Sequence, residues 1–268
     1  MTGTARPQRH RPAASALRGL IGAAVLLAAV EGLTRAELVN PATLPPASAI
    51  LTTTGRILLD PEFLTSVGGT LLAWAIGMLI AAAMAVPLGV LLGSSRRSYL
   101  AATMAIEFLR PIPSVALIPL VILLRGRGLD FKVILIVYAS VWPILFNTIY
   151  GMRDVDPQAR ETARAYGLNR IAILWRISLR AASPFIYTGV RISAGIALIL
   201  AISAELIAGG GPGIGTWMIA NSQAGVPREF LYAGIVVSGL LGVAINRLMV
   251  AGEHRLFAWH HRVRGSGS

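Results

Sequence analysis

From Thr65 to Gly93 the chain carries no charged side chain. A helix of that length rises past the roughly 30 Å hydrocarbon core of a bilayer, which about 20 residues suffice to cross. Such a run restricts the chain to membrane folds, where a helix satisfies its own backbone polar groups. Composition agrees: 55% of residues are hydrophobic and 13% charged, against about 25% charged in soluble domains. Five more apolar segments follow the same pattern: Leu17–Val39, Tyr99–Leu124, Phe131–Met152, Ala181–Ala208 and Phe230–Ala251. The expectation is an all-α, polytopic membrane protein with about six transmembrane helices. The first segment also admits a signal peptide, but no small-residue cleavage site precedes a soluble domain, and a first span is the preferred reading. Residues 1–16, rich in Arg and Pro, read as a disordered N-terminus, 17–252 as the transmembrane domain and 253–268 as a tail. Pro41, Pro45, Pro46 and Pro61 mark a loop with room for one short surface helix.

The formal net charge is +12. In a soluble protein that would suggest nucleic acid; among apolar spans it reads as positive-inside loops, with the lipid bilayer as partner and no nucleic acid. Of the 24 basic residues, all but Lys132 are arginine. With six spans and the N-terminus inside, sixteen fall on the cytoplasmic side and six on the other. Both termini are therefore expected in the cytoplasm of a bacterial plasma membrane. Lys132, Arg125, Arg127 and Arg228 are expected on the outer face, as solvated loop charge or as an attraction for an anion. Cysteine is absent, which excludes disulfides, thiolate metal sites and Cys nucleophiles. The four histidines (10, 254, 260 and 261) lie at the termini, so no His-based catalytic or metal site is expected among the spans.

One polar stretch on the cytoplasmic side carries its own helix punctuation. Asp156 suits an N-cap and Pro157 the first helical position. Gly167 suits a helix end, and Asn169 suits the cap of a second helix. Glu161 stands three residues before Arg164, within reach of a pair along one face. Ile171, Leu174, Trp175 and Ser178 share one side of the second helix. Two readings stand on these residues alone: an amphipathic interfacial helix joining two spans, or a docking element for another protein.

The run from Glu161 to Arg170 (ETARAYGLNR), followed by Ser183-Pro184-Phe185-Ile186 and Gly189, resembles the coupling loop of ABC importer permeases. Glu161, Ala163 and Gly167 match that motif. Thr162 departs from its usual Ala, and Arg180 stands where Pro is common. Phe108 to Leu120, with Arg110, Pro111 and Pro113, is similar to the nitrate/sulfonate/taurine branch, as is Ala204-Glu205-Leu206 with the glycine run to Gly215. Arg125-Gly126 departs from the branch's usual Phe-Gly. The resemblance covers residues 60–250 and implies a type I importer permease fold. It implies a homodimer, two cytoplasmic ATP-binding subunits docked on a coupling loop at 153–180, and an extracytoplasmic binding protein. Coupling would fall to Glu161, Ala163, Gly167, Asn169 and Arg170. No cofactor is expected in this chain; ATP and Mg would serve the partner subunit, and the chain itself would not be an enzyme. The implied solute is small and anionic, of the sulfonate, taurine or nitrate kind. A thiamine precursor or aromatic acid, or an ion-coupled carrier acting alone, are the alternatives.

Charged residues inside spans are costly, about 2.5–3.5 kcal/mol on insertion scales, and usually face protein or water. Glu107 and Arg110 at i, i+3 fit a structural ion pair; equally, Arg110 fits the translocation pathway near an inner gate. Pro111 and Pro113 free backbone carbonyls, as a gating helix or a merely kinked one does. Glu205 beside the glycine run fits an outer gate or a binding-protein contact, or a headgroup-level carboxylate. Gly209–Gly215 is followed by no Lys-Ser/Thr and follows no strand, so it reads as a tight outer turn, not a phosphate loop.

Overall fold

The computed structural model describes residues 12–40 and 43–257. The expected disordered N-terminus lies outside the described residues up to residue 11, as does the tail beyond 257. The chain builds α1 (Pro12–Arg35), α2 (Ala47–Ile57), α3 (Pro61–Ser94), α4 (Arg96–Leu109), α5 (Ile118–Arg125) and α6 (Leu129–Arg153). It continues with α7 (Pro157–Ala165), α8 (Arg170–Ile173), α9 (Leu179–Ala208), α10 (Ile214–Gln223) and α11 (Glu229–Leu256). A 3-10 turn, Ser114–Leu117, leads into α5, and a π-helical turn, Leu174–Ser178, joins α8 to α9. No strand occurs among the described residues.

Four helices are long and apolar enough to cross a membrane: α3, α6, the continuous run Arg170–Ala208, and α11. A fifth crossing is the pair Arg96–Leu109 and Ser114–Arg125, bent by 74°. Helix α1 coincides with the expected first span but is not among these.

The expected span Tyr99–Leu124 is thus not one kinked helix but two helices. Pro111 and Pro113, two residues apart, remove two amides from one turn. The hydroxyl of Tyr138 on α6 donates to the Leu109 carbonyl at 2.6 Å, the acceptor that Pro113 deprives of its helical partner.

Helix α6 is the most enclosed span, packed between α3 and α9. Small residues allow the close approach: a Cβ at Gly77 or Gly89 of α3 would strike Ile136 or Thr148 of α6, and one at Gly189 of α9 would strike Asn147. Ala73, Ala81 and Ala85 of α3, Ile136, Ile144 and Ile149 of α6, and Ala194, Ala197 and Ala201 of α9 form one buried core. The Trp74 indole adds a bond to the Ala194 carbonyl at 2.9 Å.

A second core lies where α2, α3, α10 and α11 meet. Phe63 and Trp217 meet edge to face at 4.7 Å, with Ile57, Met218, Ala233 and Val237 around them. This core corrects one expectation and adds an element. The short helix before α3 is not a surface helix: α2 packs on α11 and buries Ala47, Ile50, Thr53, Thr54 and Ile57. The glycine run leads into helix α10, which buries Ile214, Gly215, Trp217 and Met218.

Candidate functional site

The polar stretch folds as its punctuation predicts. The Asp156 carboxylate accepts from the Gln158 amide at 2.9 Å and Pro157 opens α7. At the other end Leu168 N–H donates to Ala163 O at 3.0 Å and Gly167 N–H to Arg164 O at 2.9 Å. That pair of bonds is a Schellman closure, and it sets Gly167 at φ +80°, the left-handed region that favours glycine and, after it, asparagine. Asn169 then caps α8, accepting from the Ala172 amide at 2.7 Å.

Helix α7 packs against α8 and the π turn, and Ala163 is its buried residue. Arg160 ties α7 back to α6 by donating to the Met152 carbonyl at 2.6 Å. Glu161, Asn169 and Arg170 are exposed. Among the described residues no ion pair joins Glu161 to Arg164. The side shared by Ile171, Leu174, Trp175 and Ser178 also divides: Ser178 is buried, whereas Ile171 and Trp175 are 69% and 65% exposed. With Tyr166, 81% exposed, they give the element an apolar, aromatic outer surface. Three large apolar groups left uncovered by the chain fit either a bilayer interface or the surface of another protein.

From Arg170 the helix continues without a break through the π turn to Ala208, 39 residues in all, about 58 Å at 1.5 Å per residue. Pro184 lies inside it and deprives the Arg180 carbonyl of its helical donor. The Ser183 hydroxyl donates to that carbonyl at 2.7 Å. Arg180 itself is exposed.

Glu107, Arg110, Pro111 and Pro113 stand together at the bend between α4 and α5, all exposed. Glu107 and Arg110 do not pair with each other. The Arg110 guanidinium lies over the Phe146 ring, 4.7 Å from its centroid. Glu107, Arg110 and Pro111 line a cavity of about 460 Å³ with Tyr99, Thr103, Phe146 and Tyr150. Helix α4 buries none of its residues, so this flank of the protomer is open.

Glu205 is elsewhere, in the C-terminal turn of α9, and is 0% exposed. Its Oε1 accepts from Lys132 Nζ at 2.8 Å. The Thr70 hydroxyl lies 3.0 Å from both of its oxygens. The Gly215 amide donates to Oε2 at 3.0 Å. Lys132 Nζ also donates to the Pro212 carbonyl at 2.8 Å, and the Ile214 amide to Thr70 Oγ1 at 2.9 Å. A Cβ at Gly213 or Gly215 would collide with Glu205, which is why the turn is built of glycine there.

Lys132 is therefore not solvated loop charge on the outer face; it is 2% exposed and fully engaged. The sequence did carry a signal for it. Lys132 is the one lysine among 24 basic residues, and a carboxylate inside a span needs a partner. Thr70, a hydroxyl in an apolar run, gave no such signal. Another ion pair, Arg191 to Glu253 at 2.6 Å, joins α9 to α11.

Residues 85–257 match the family model described as binding-protein-dependent transport system inner membrane component. A putative aliphatic sulfonates transport permease of Bacillus subtilis is 28% identical over 249 residues, covering 93% of this chain and 90% of that one. A nitrate import permease of Synechocystis sp. is 30% identical over 266 residues, covering 92% and 94%. Among solved structures, the methionine ABC transporter MetNI in an inward-facing conformation superposes with a TM-score of 0.64 at 17% identity. That match covers 73% of this chain and 98% of the other. It establishes a shared fold.

Proposed function

The chain belongs to the family of binding-protein-dependent transport system inner membrane components, and on that premise we propose that residues 157–180 couple it to a cytoplasmic ATP-binding subunit. Two copies would enclose a central pathway, each docking one such subunit. ATP and Mg would be used there, not in this chain. An extracytoplasmic binding protein would deliver a small anionic solute, of the sulfonate, taurine or nitrate kind that the relatives' names carry. Both termini would be cytoplasmic.

One observation carries this reading. A capped, rigid element presents Tyr166, Ile171 and Trp175 outward and is continuous with a 39-residue helix. Such a helix converts a displacement at its cytoplasmic end into one beyond the opposite side of a ~30 Å hydrocarbon core. In this scheme Gly167 and Asn169 fix the angle between α7 and α8, and Ala163 lets α7 lie flat. Glu161 and Arg170 offer exposed charges to the partner. Closure of the ATP-binding pair would draw both coupling elements inward and turn the spans outward. Arg110, held over Phe146, would meet an anion in the cavity at the α4–α5 bend. Pro111 and Pro113 would shape the inner gate.

The test is reconstitution in liposomes with and without the ATP-binding subunit and binding protein, using taurine, an alkanesulfonate and nitrate as separate probes. Uptake of at least one probe, strictly dependent on ATP and on the ATP-binding subunit, is expected. Uptake by the chain alone would sink the proposal. Gly167→Asp and Glu161→Lys should weaken assembly or coupling while the chain still inserts in the membrane.

A further inference from the structure

The geometry points to Lys132 and Glu205 as positioning residues that clamp the outer turn and α10 onto the far end of the coupling helix. The inference rests on the coupling reading above. Glu205 sits on the last turn of α9, the same continuous helix whose other end is the coupling element. Its carboxylate holds the turn directly through the Gly215 amide. Lys132 holds the turn through Pro212 O while neutralising the carboxylate, and Thr70 holds it through the Ile214 amide. Four elements, α3, α6, α9 and α10, therefore share one polar knot around a buried carboxylate. Gly209, Gly210 and Gly211, at φ +63°, +90° and +72°, form the only left-handed glycine run among the described residues. Glycine there leaves the backbone free to take many conformations. Without the knot, the link between α9 and α10 would be the softest joint on the outer side. With it, α10 is carried by α9 as one body, and a displacement begun at α7 reaches the outer surface undamped.

A knot that serves only to hold the fold together is distinguishable from one that positions the turn. Replacing a buried ion pair by apolar side chains of similar volume is often neutral for stability, so Lys132→Met/Glu205→Met should keep the chain folded. It removes the acceptor for Gly215 N–H and the donor to Pro212 O, so the turn should loosen. Amide hydrogen exchange in lipid nanodiscs reads this directly, because exchange reports local opening. In the parent chain, peptides covering 209–223 should exchange slowly, and equally so without nucleotide and with ATP trapped in the ATP-binding subunit. In the double variant they should exchange at least about tenfold faster, while peptides of α3 and α6 and the unfolding midpoint stay put. ATP hydrolysis by the reconstituted complex should then lose its stimulation by the binding protein.

Three results would overturn the clamp: unchanged exchange at 209–223 in the double variant, faster exchange spread over all spans, or retained stimulation despite a loosened turn. The exchange comparison of parent with double variant in the absence of nucleotide runs on the permease alone. A chain that binds no ATP-binding subunit would sink the coupling proposal and leave the local effect of the knot measurable.

Discussion

Gly167 gives the sharpest test of how the coupling element is built. Its φ of +80° costs a non-glycine residue roughly 1–2 kcal/mol. A Cβ there would meet nothing within 4 Å, so within this chain no steric term is added. Helix α7 has nine residues, shorter than the ~12–15 at which isolated helices become even marginal in water. It has little reserve stability, and the backbone cost should appear directly as a lower population of the docked geometry. A loss of 1–2 kcal/mol is a factor of roughly 5–30, and apparent affinity falls with the competent fraction. Gly167→Ala should therefore weaken retention of the ATP-binding subunit about 5–30-fold. Gly167→Val should be worse, because a β-branched side chain is a still poorer left-handed residue. Gly167→Asn should be nearly tolerated, because Asn enters that region readily. The assay is capture of the ATP-binding subunit on immobilised permease in nanodiscs, with membrane insertion checked independently. The order Asn, Ala, Val is the signature of a backbone requirement. If Asn weakens retention as much as Ala or more, size decides, and the conformational account of the loop is wrong.

Other substitutions follow from single contacts. Glu205→Gln or Lys132→Met alone leaves its partner buried and uncompensated and should destabilise the chain by about 3–5 kcal/mol, seen as a large drop in thermal unfolding midpoint in detergent. Asn169→Ala removes the α8 cap and should cost about 1 kcal/mol, with faster amide exchange limited to residues 169–174. Tyr138→Phe leaves Leu109 O without its 2.6 Å donor, a loss of about 1 kcal/mol that should show as faster exchange at the α4–α5 bend and nowhere else.

What the sequence revealed and what it hid have a physical division. Local chemistry was legible. The caps Asp156 and Asn169 and the glycine closure act over three to five residues and lie where their residue types placed them. The apolar runs fixed α3, α6, α9 and α11 to within about five residues at each end. Helix α10 was not legible. It has ten residues, sits between a glycine run and Gly225, and mixes Thr216, Asn221 and Gln223 with Trp217 and Met218. It docks Trp217 against Phe230 and against Phe63 of α3, and the latter is far away in the chain. The Lys132–Glu205 pair spans 73 positions, and no periodicity reports a contact of that kind. The pairing expected from spacing, Glu107 with Arg110, is replaced by a cation over the Phe146 ring, because both side chains sit on an open flank. Spacing permits a surface pair; it gains too little to impose one.

The prolines show why one span breaks and another does not. Pro87, Pro143 and Pro184 all lie inside helices, and each deprives one carbonyl, four residues earlier, of its donor. For Pro184 the loss falls on Arg180 O, and the hydroxyl of the residue just before it, Ser183, fills the vacancy at 2.7 Å. The run Arg170–Ala208 stays continuous. At Pro111 and Pro113 two losses fall two residues apart, and Leu109 O is left with a tightened turn to the Ile112 amide at 3.2 Å and a donor from another helix, Tyr138. One loss refilled on the same helix leaves its axis intact, whereas two losses in one turn, tied to a neighbouring helix, fix a bend. The family pattern places Pro near position 180, and this chain has Arg there; a proline at 180 would have freed a second carbonyl within one turn of Pro184's. Arg180 therefore favours a stiff entry into α9, and under the proposed coupling a stiff α9 would carry motion at Tyr166 and Trp175 to Glu205.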